Sequence, residues 1–155
     1  MIQRIQSIYL FLAGLLIGAL YLFPILHTVY AGVIPENIRV TGIYQDAAGS
    51  QMHTQVFVAL TAVTGIIALL PIAIIFLYKN RKQQVALCYS ALLVIVGYSF
   101  WAGETVEHAI QGAHVGTVNY GIGMFLPLVS IILVFLAIRG IRNDEKLIRS
   151  ADRLR

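Results

Sequence analysis

The sequence predicts an all-α fold, an integral membrane four-helix bundle with both termini in the cytoplasm, and three observations lead there. First, 59% of the 155 residues are hydrophobic and only 12% charged, with mean hydropathy +0.81, whereas soluble domains carry roughly 25% charged residues. Second, four runs lack Asp, Glu, Lys and Arg: Ile5 to Pro35, Ala47 to Tyr78, Gln83 to Gly103 and His108 to Ile138. Each is long enough for one crossing, which takes about 20 residues. Third, the cationic Lys79-Asn80-Arg81-Lys82 lies between two of these runs. Such charges resist translocation and mark a cytoplasmic turn joining two membrane helices.

Orientation follows from counting charge loop by loop. Arg4, Lys79, Arg81, Lys82, Arg139, Arg142, Lys146, Arg149, Arg153 and Arg155 fall on one side, and Arg39 alone on the other. The positive-inside rule then places both termini of this multi-pass protein in the cytoplasm, with Glu36, Asp46, Glu104 and Glu107 outside. The net charge of +4 and pI near 9.4 are therefore a matter of topology, and no nucleic-acid partner is expected. The single cysteine, Cys88, has no disulfide partner. The apolar stretch from Ile8 to Leu26 exceeds the 7 to 15 residues of a signal-peptide core, so it reads as a retained first span.

The chain divides into spans at about 5–26, 56–78, 84–102 and 120–138 with a tail at 139–155, all in one domain over 1–155. Helix one carries Gly14 and Gly18 at the spacing that lets two backbones approach closely, either within the chain or in a homo-oligomer. Pro24 ends it near the outer interface. For His27 to Gln55 two readings stand: a small outer β-hairpin built on Ile38 to Thr41 and Ile43 to Gln45, turning at Asp46 to Ser50, or an irregular outer cap. An isolated hairpin is marginal in water, which keeps the second reading open. Helix two presents a smooth strip of Ala59, Ala62, Gly65 and Ala68, with Thr61 and Thr64 beside it. Helix three places Tyr98 and Trp101 at an outer aromatic belt. Helix four, with Gly121, Gly123 and Pro127, is expected to begin irregularly.

The tail predicts an amphipathic basic helix. At about 100° per residue, Arg139, Arg142, Lys146, Arg149 and Arg153 share one stripe, with Ile141, Leu147, Ile148, Ala151 and Leu154 beside it. Such a stripe lies on anionic headgroups at the cytoplasmic face, docks a membrane-protein partner, or extends helix four into solvent.

Candidate chemistry concentrates on the outer side. Glu104, Glu107 and His108 stand at i, i+3 and i+4, and with His114 and His53 they could ligate a divalent metal such as zinc if separate loops close the site. The competing reading is a set of hydrated loop residues, because no HExxH-type motif is present. Haem ligation has only His27 near a span. With no charge inside any span, the pattern is unlike that of a transporter. With no phosphate loop or nucleophile motif, no enzyme activity and no cofactor are expected.

The opening Met1-Ile2-Gln3-Arg4-Ile5-Gln6-Ser7-Ile8-Tyr9-Leu10, the turn Tyr78-Lys79-Asn80-Arg81-Lys82-Gln83-Gln84 and the ending from Asp144 to Arg155 together resemble a membrane family of Bacteroidota known as domain of unknown function 4293. The resemblance covers the whole chain and implies a small inner-membrane protein with four helices. It implies no activity, so no catalytic or binding residue carries over. The expected role is non-enzymatic: an accessory, assembly or scaffolding component of a membrane complex. The alternatives are an outer-face protein binding metal or a small ligand, and a minimal oligomeric transporter.

Overall fold

The computed structural model describes residues 3–29, 35–47, 50–77, 80–110 and 116–152. Among them are four helices and a four-stranded antiparallel sheet, so the all-α expectation fails. Helix α1 (Gln3–Gly18) tightens into a 3-10 turn at Ala19–Tyr21. The sheet follows as β1 (Leu26–Val29), β2 (Glu36–Arg39), β3 (Gly42–Ala47) and β4 (Ser50–Val56), paired in chain order. Then come α2 (Val58–Ile75), α3 (Arg81–Ala109), two 3-10 turns at Thr117–Asn119 and Ile122–Phe125, and α4 (Leu126–Asp152).

The sheet takes residues from two of the runs read as membrane-spanning. The first helix stops at Tyr21, with the Leu22 and Phe23 N–H groups both on the Ala19 carbonyl (2.9 and 3.0 Å). Pro24 disfavours helix for the residue before it, so the chain leaves extended. At the other end of the sheet, Ser50 to Val56 is uncharged but polar, with Met52 to Val56 all exposed, and it pairs as a strand within the stretch read as an outer hairpin or cap, taking only Val56 from the expected second span. More than a hairpin forms because Leu26, Val29, Ile38, Val40 and Ile43 are all buried, giving the strands the apolar face that an isolated pair lacks. At the β2–β3 turn Gly42 has φ +148°, and a Cβ there would strike the Gln55 carbonyl, so only glycine fits.

Three helices are long and apolar enough to cross a membrane: Val58–Ile75, Arg81–Ala109 and the stretch Ile122–Lys146, while Ile5–Tyr21 is a shorter apolar helix. The architecture is thus an antiparallel sheet joined to one end of a helical layer, not a four-helix bundle. Leu69, Phe76, Leu93 and Phe100 are 63 to 76% exposed. Apolar surface on that scale faces lipid rather than water, so the chain is an integral membrane protein.

Polar contacts fix the helix order. Ser130 Oγ donates to the Ala13 carbonyl (3.0 Å) and Tyr21 OH to the Thr61 carbonyl (2.6 Å), so α1 runs antiparallel to both α4 and α2. Thr64 Oγ1 lies 2.7 Å from Tyr98 OH and 2.6 Å from the Leu60 carbonyl. Since threonine has one hydroxyl proton and gives it to the carbonyl, Tyr98 is the donor to Thr64. Tyr98 is accordingly buried against α2 rather than set in an aromatic belt; Trp101 is 40% exposed. The core is Leu10, Ile17, Leu20, Ile95, Val134 and Ile138. The sheet is tied to the same end of the helices by Phe57 N–H on the Thr41 carbonyl (3.1 Å) and Thr61 Oγ1 on the Val40 carbonyl (3.2 Å).

Candidate functional site

Two backbone arrangements open a cleft at the sheet end of the helices. Helix α3 continues to Ala109, beyond the expected end at Ala102, because Glu104 and Glu107 are good helix formers and a turn outside the membrane needs no apolar residues. On the opposite wall, the entry to α4 is anchored to the segment before β1. Gly121 N–H bonds the Ile25 carbonyl (2.8 Å) and Gly123 N–H the Pro24 carbonyl (3.0 Å). A Cβ at either glycine would run into the Pro24 carbonyl oxygen, so both must be glycine for the backbones to touch. Asn119 Nδ2 adds bonds to the His27 and Thr28 carbonyls (3.0 and 2.8 Å).

Between these walls lies a cavity of about 1120 Å³, slightly larger than the roughly 300 to 1,000 Å³ of small-molecule sites. Leu20 and Leu26, nearly fully buried, form its floor. Val96, Phe100, Met124, Leu128 and Ile131 supply apolar walls. Glu104, Glu107 and His108 stand at its exposed rim, and no Lys or Arg lines it. His108 Nε2 lies 3.8 Å from Glu104 Oε2, with the two side chains 74% and 71% exposed. Such an exposed pair adds little stability, but the carboxylates of Glu104 and the exposed Glu107 remain open to a ligand. The chemistry on offer is an apolar slot with an acidic mouth.

The metal candidates are only partly gathered. Glu104, Glu107 and His108 share the last turns of α3, whereas His53 lies on β4, its ring stacked on Tyr44 with centroids 4.4 Å apart. The Arg39 guanidinium also sits 5.2 Å from the Tyr44 ring centroid. His114 lies outside the described residues. Among the described residues, no group of three or more His, Cys, Asp or Glu is placed to hold a metal ion. A helix spacing of i, i+3, i+4 alone does not aim three side chains at one point within metal-ligand distance.

The packing candidates separate. A Cβ on Gly14 would sit 2.7 Å from the Ala68 carbonyl and 2.8 Å from Ile72 Cγ1, so Gly14 is the contact between α1 and α2. At Gly18 nothing lies within 4 Å. A Cβ on Gly65 would sit 3.1 Å from the hydroxyl of Tyr21 in the turn after α1, while Ala62 is exposed.

The basic stretch is the continuation of α4, which is unbroken from Leu126 to Asp152. Arg139, Arg142 and Lys146 lie on its exposed face, and Ile141 and Asp144 are buried. Arg149 is a helical position of α4, and Arg153 lies outside the described residues.

Sequence reasoning missed the cleft and two buried polar links, Tyr98 to Thr64 and Gln6 to Asp144. A hydroxyl or amide inside an apolar span signals interhelical bonding, and Thr64 carried that signal. The cleft had only Gly121 and Gly123 to announce it.

A family model described as Domain of unknown function (DUF4293) matches residues 2–154, nearly the whole chain. Comparison with curated proteins and with solved structures gives no match.

Proposed function

We propose that this chain, which belongs to the family described as Domain of unknown function (DUF4293), is a non-enzymatic membrane protein that holds an amphiphile in the cleft between α3 and α4. The cavity of about 1120 Å³ carries the reading. Its walls suit a hydrocarbon body, and the rim carboxylates of Glu104 and Glu107, with no Lys or Arg among the described lining residues, suit an amine-bearing head. Exposure of about 70% at Glu104 and His108 is the setting of a headgroup contact, not of a desolvated acid–base pair.

The proposed setting is the bacterial inner membrane, with both termini cytoplasmic and the sheet and cleft on the outer side. Arg81, Lys82, Arg139, Arg142 and Lys146 support it. They lie at the ends of α3 and α4 away from the sheet, where the positive-inside rule places cytoplasmic cations.

The test is purification in mild detergent followed by native mass spectrometry. Wild-type protein is expected to retain an amine-bearing amphiphile, and Glu104→Gln with Glu107→Gln to lose it while remaining helical. Undiminished retention by the double variant, or no such amphiphile on the wild type, contradicts the proposal.

One observation favours a second reading, the accessory or scaffolding role. Among the described residues strand β4 pairs only with β3, and its residues Met52 to Val56 are all exposed. An edge of that kind can add a strand from a partner protein. A protein retained in stoichiometric amount and released by Thr54→Pro would favour it.

A further inference from the structure

We infer that the groove between α3 and α4 at the end away from the sheet is a seat for one phospholipid with an anionic headgroup. The seat is independent of the sheet-end cleft. It is a hollow of about 220 Å³ whose lining includes Tyr89, Phe135, Ile138, Arg139, Arg142 and Lys146. On α4 Phe135, Ile138, Arg142 and Lys146 advance by three or four residues with Arg139 beside Ile138, so they form one stripe that is apolar up to Ile138 and cationic from Arg139.

That change of character marks the edge of the hydrocarbon. At 1.5 Å per residue, Arg139 and Arg142 stand roughly 2 to 6 Å beyond Ile138, within the depth of a headgroup layer. Lys146 stands about 12 Å beyond, and its long stem can reach back toward the phosphate. Phe135, about half exposed, offers the acyl chain a surface below the charges.

Two features make this a seat and not a diffuse field. The Arg142 guanidinium lies 5.2 Å from the Tyr89 ring centroid, which holds it across the groove in a cation–π contact. Among the described residues lining the hollow none is a carboxylate, and the nearby Asp144 is buried and takes a hydrogen bond from Gln6. Three cations thus share one hollow, and a phosphodiester that accepts planar guanidinium donors is the complementary group.

The experiment is native mass spectrometry of the full chain taken from nanodiscs of mixed phosphatidylglycerol and phosphatidylcholine. Wild-type protein is expected to retain one phosphatidylglycerol per chain, less of it as salt rises through the range where the screening length falls below about 10 Å. Arg142→Gln should weaken retention about fivefold and Arg139→Gln with Arg142→Gln about thirtyfold, from about 1 kcal/mol for each cation near the lipid phosphate. Lys82→Gln removes the same charge from an exposed position outside the groove, and should leave retention unchanged. Equal loss from Lys82→Gln and Arg142→Gln would show diffuse attraction and overturn the seat. Equal retention of the two lipids by wild-type protein overturns it as well, whatever the variants do.

Discussion

Gln6 Nε2 donates a 2.5 Å hydrogen bond to Asp144 Oδ2, and both side chains are more than nine-tenths buried. The bond joins the start of α1 to a part of α4 that the sequence presents as a free tail. Gly140 closes the same contact, since a Cβ there would lie 3.0 Å from Gln6 Cγ. Residues 139 to 144 are therefore docked on α1 on one face while their cations stay outside.

Gln6→Ala leaves the Asp144 carboxylate buried without its amide partner, which costs about 1 to 3 kcal/mol. Thermal unfolding in detergent, followed by circular dichroism, should show a clear fall in Tm. An unchanged midpoint would mean that the tail is not docked on α1.

Gly14 and Gly18 should behave oppositely although they share one motif. Gly14→Ala drives a Cβ into the Ala68 carbonyl and Ile72, and such overpacking costs about 1 to 3 kcal/mol. Gly18 has φ −62° and ψ −32° with open space around it, so Gly18→Ala should be neutral or stabilise by up to about 1 kcal/mol. Loss of stability in the second variant, or loss of an oligomer in either without loss of stability, would move the contact to another copy of the chain.

Orientation is open to labelling with a membrane-impermeant thiol reagent on intact cells. The single native cysteine, Cys88, is buried and gives little background. A cysteine at Thr54, exposed on β4, should react, and one at Asn80, exposed beside α3, should not. The reverse pattern would invert the proposed topology.

What the sequence disclosed and what it hid have one physical cause. The search for runs without charge found α2, α3 and α4, because formal charge is the strongest bar to entering hydrocarbon. The same search could not separate apolar from merely uncharged residues. The uncharged run from Ala47 took in Gln51, His53, Thr54 and Gln55 of β4, although the span itself was expected only from Val56, and Leu26, the first residue of β1, was read as the end of a helix. Period-two alternation was no rescue, for β1 is four residues long and register shifts interrupt both the β1–β2 and the β3–β4 pairing. In the other direction, Glu104 and Glu107 read as loop because they are charged, though nothing prevents a helix from running on past the membrane. The site was less legible still. The rim residues were singled out for metal, but the cleft they guard depends on Gly121 and Gly123 meeting Pro24 from a distant part of the chain, and no local pattern encodes that contact.

The cleft itself is tested most directly by filling it. Gly103 lines it, and a Cβ at Gly103 meets nothing within 4 Å. Gly103→Phe thus adds a ring to the cavity lining from a position where its Cβ meets no atom, while replacing glycine within a helix favours the fold by up to about 1 kcal/mol. Gly97→Phe is the matched control, equally open but outside the lining. The decisive measurement is the amount of amine-bearing amphiphile carried by each purified protein, read by native mass spectrometry. The account predicts that Gly103→Phe loses the ligand at undiminished Tm while Gly97→Phe keeps it; equal occupancy in both variants would contradict it.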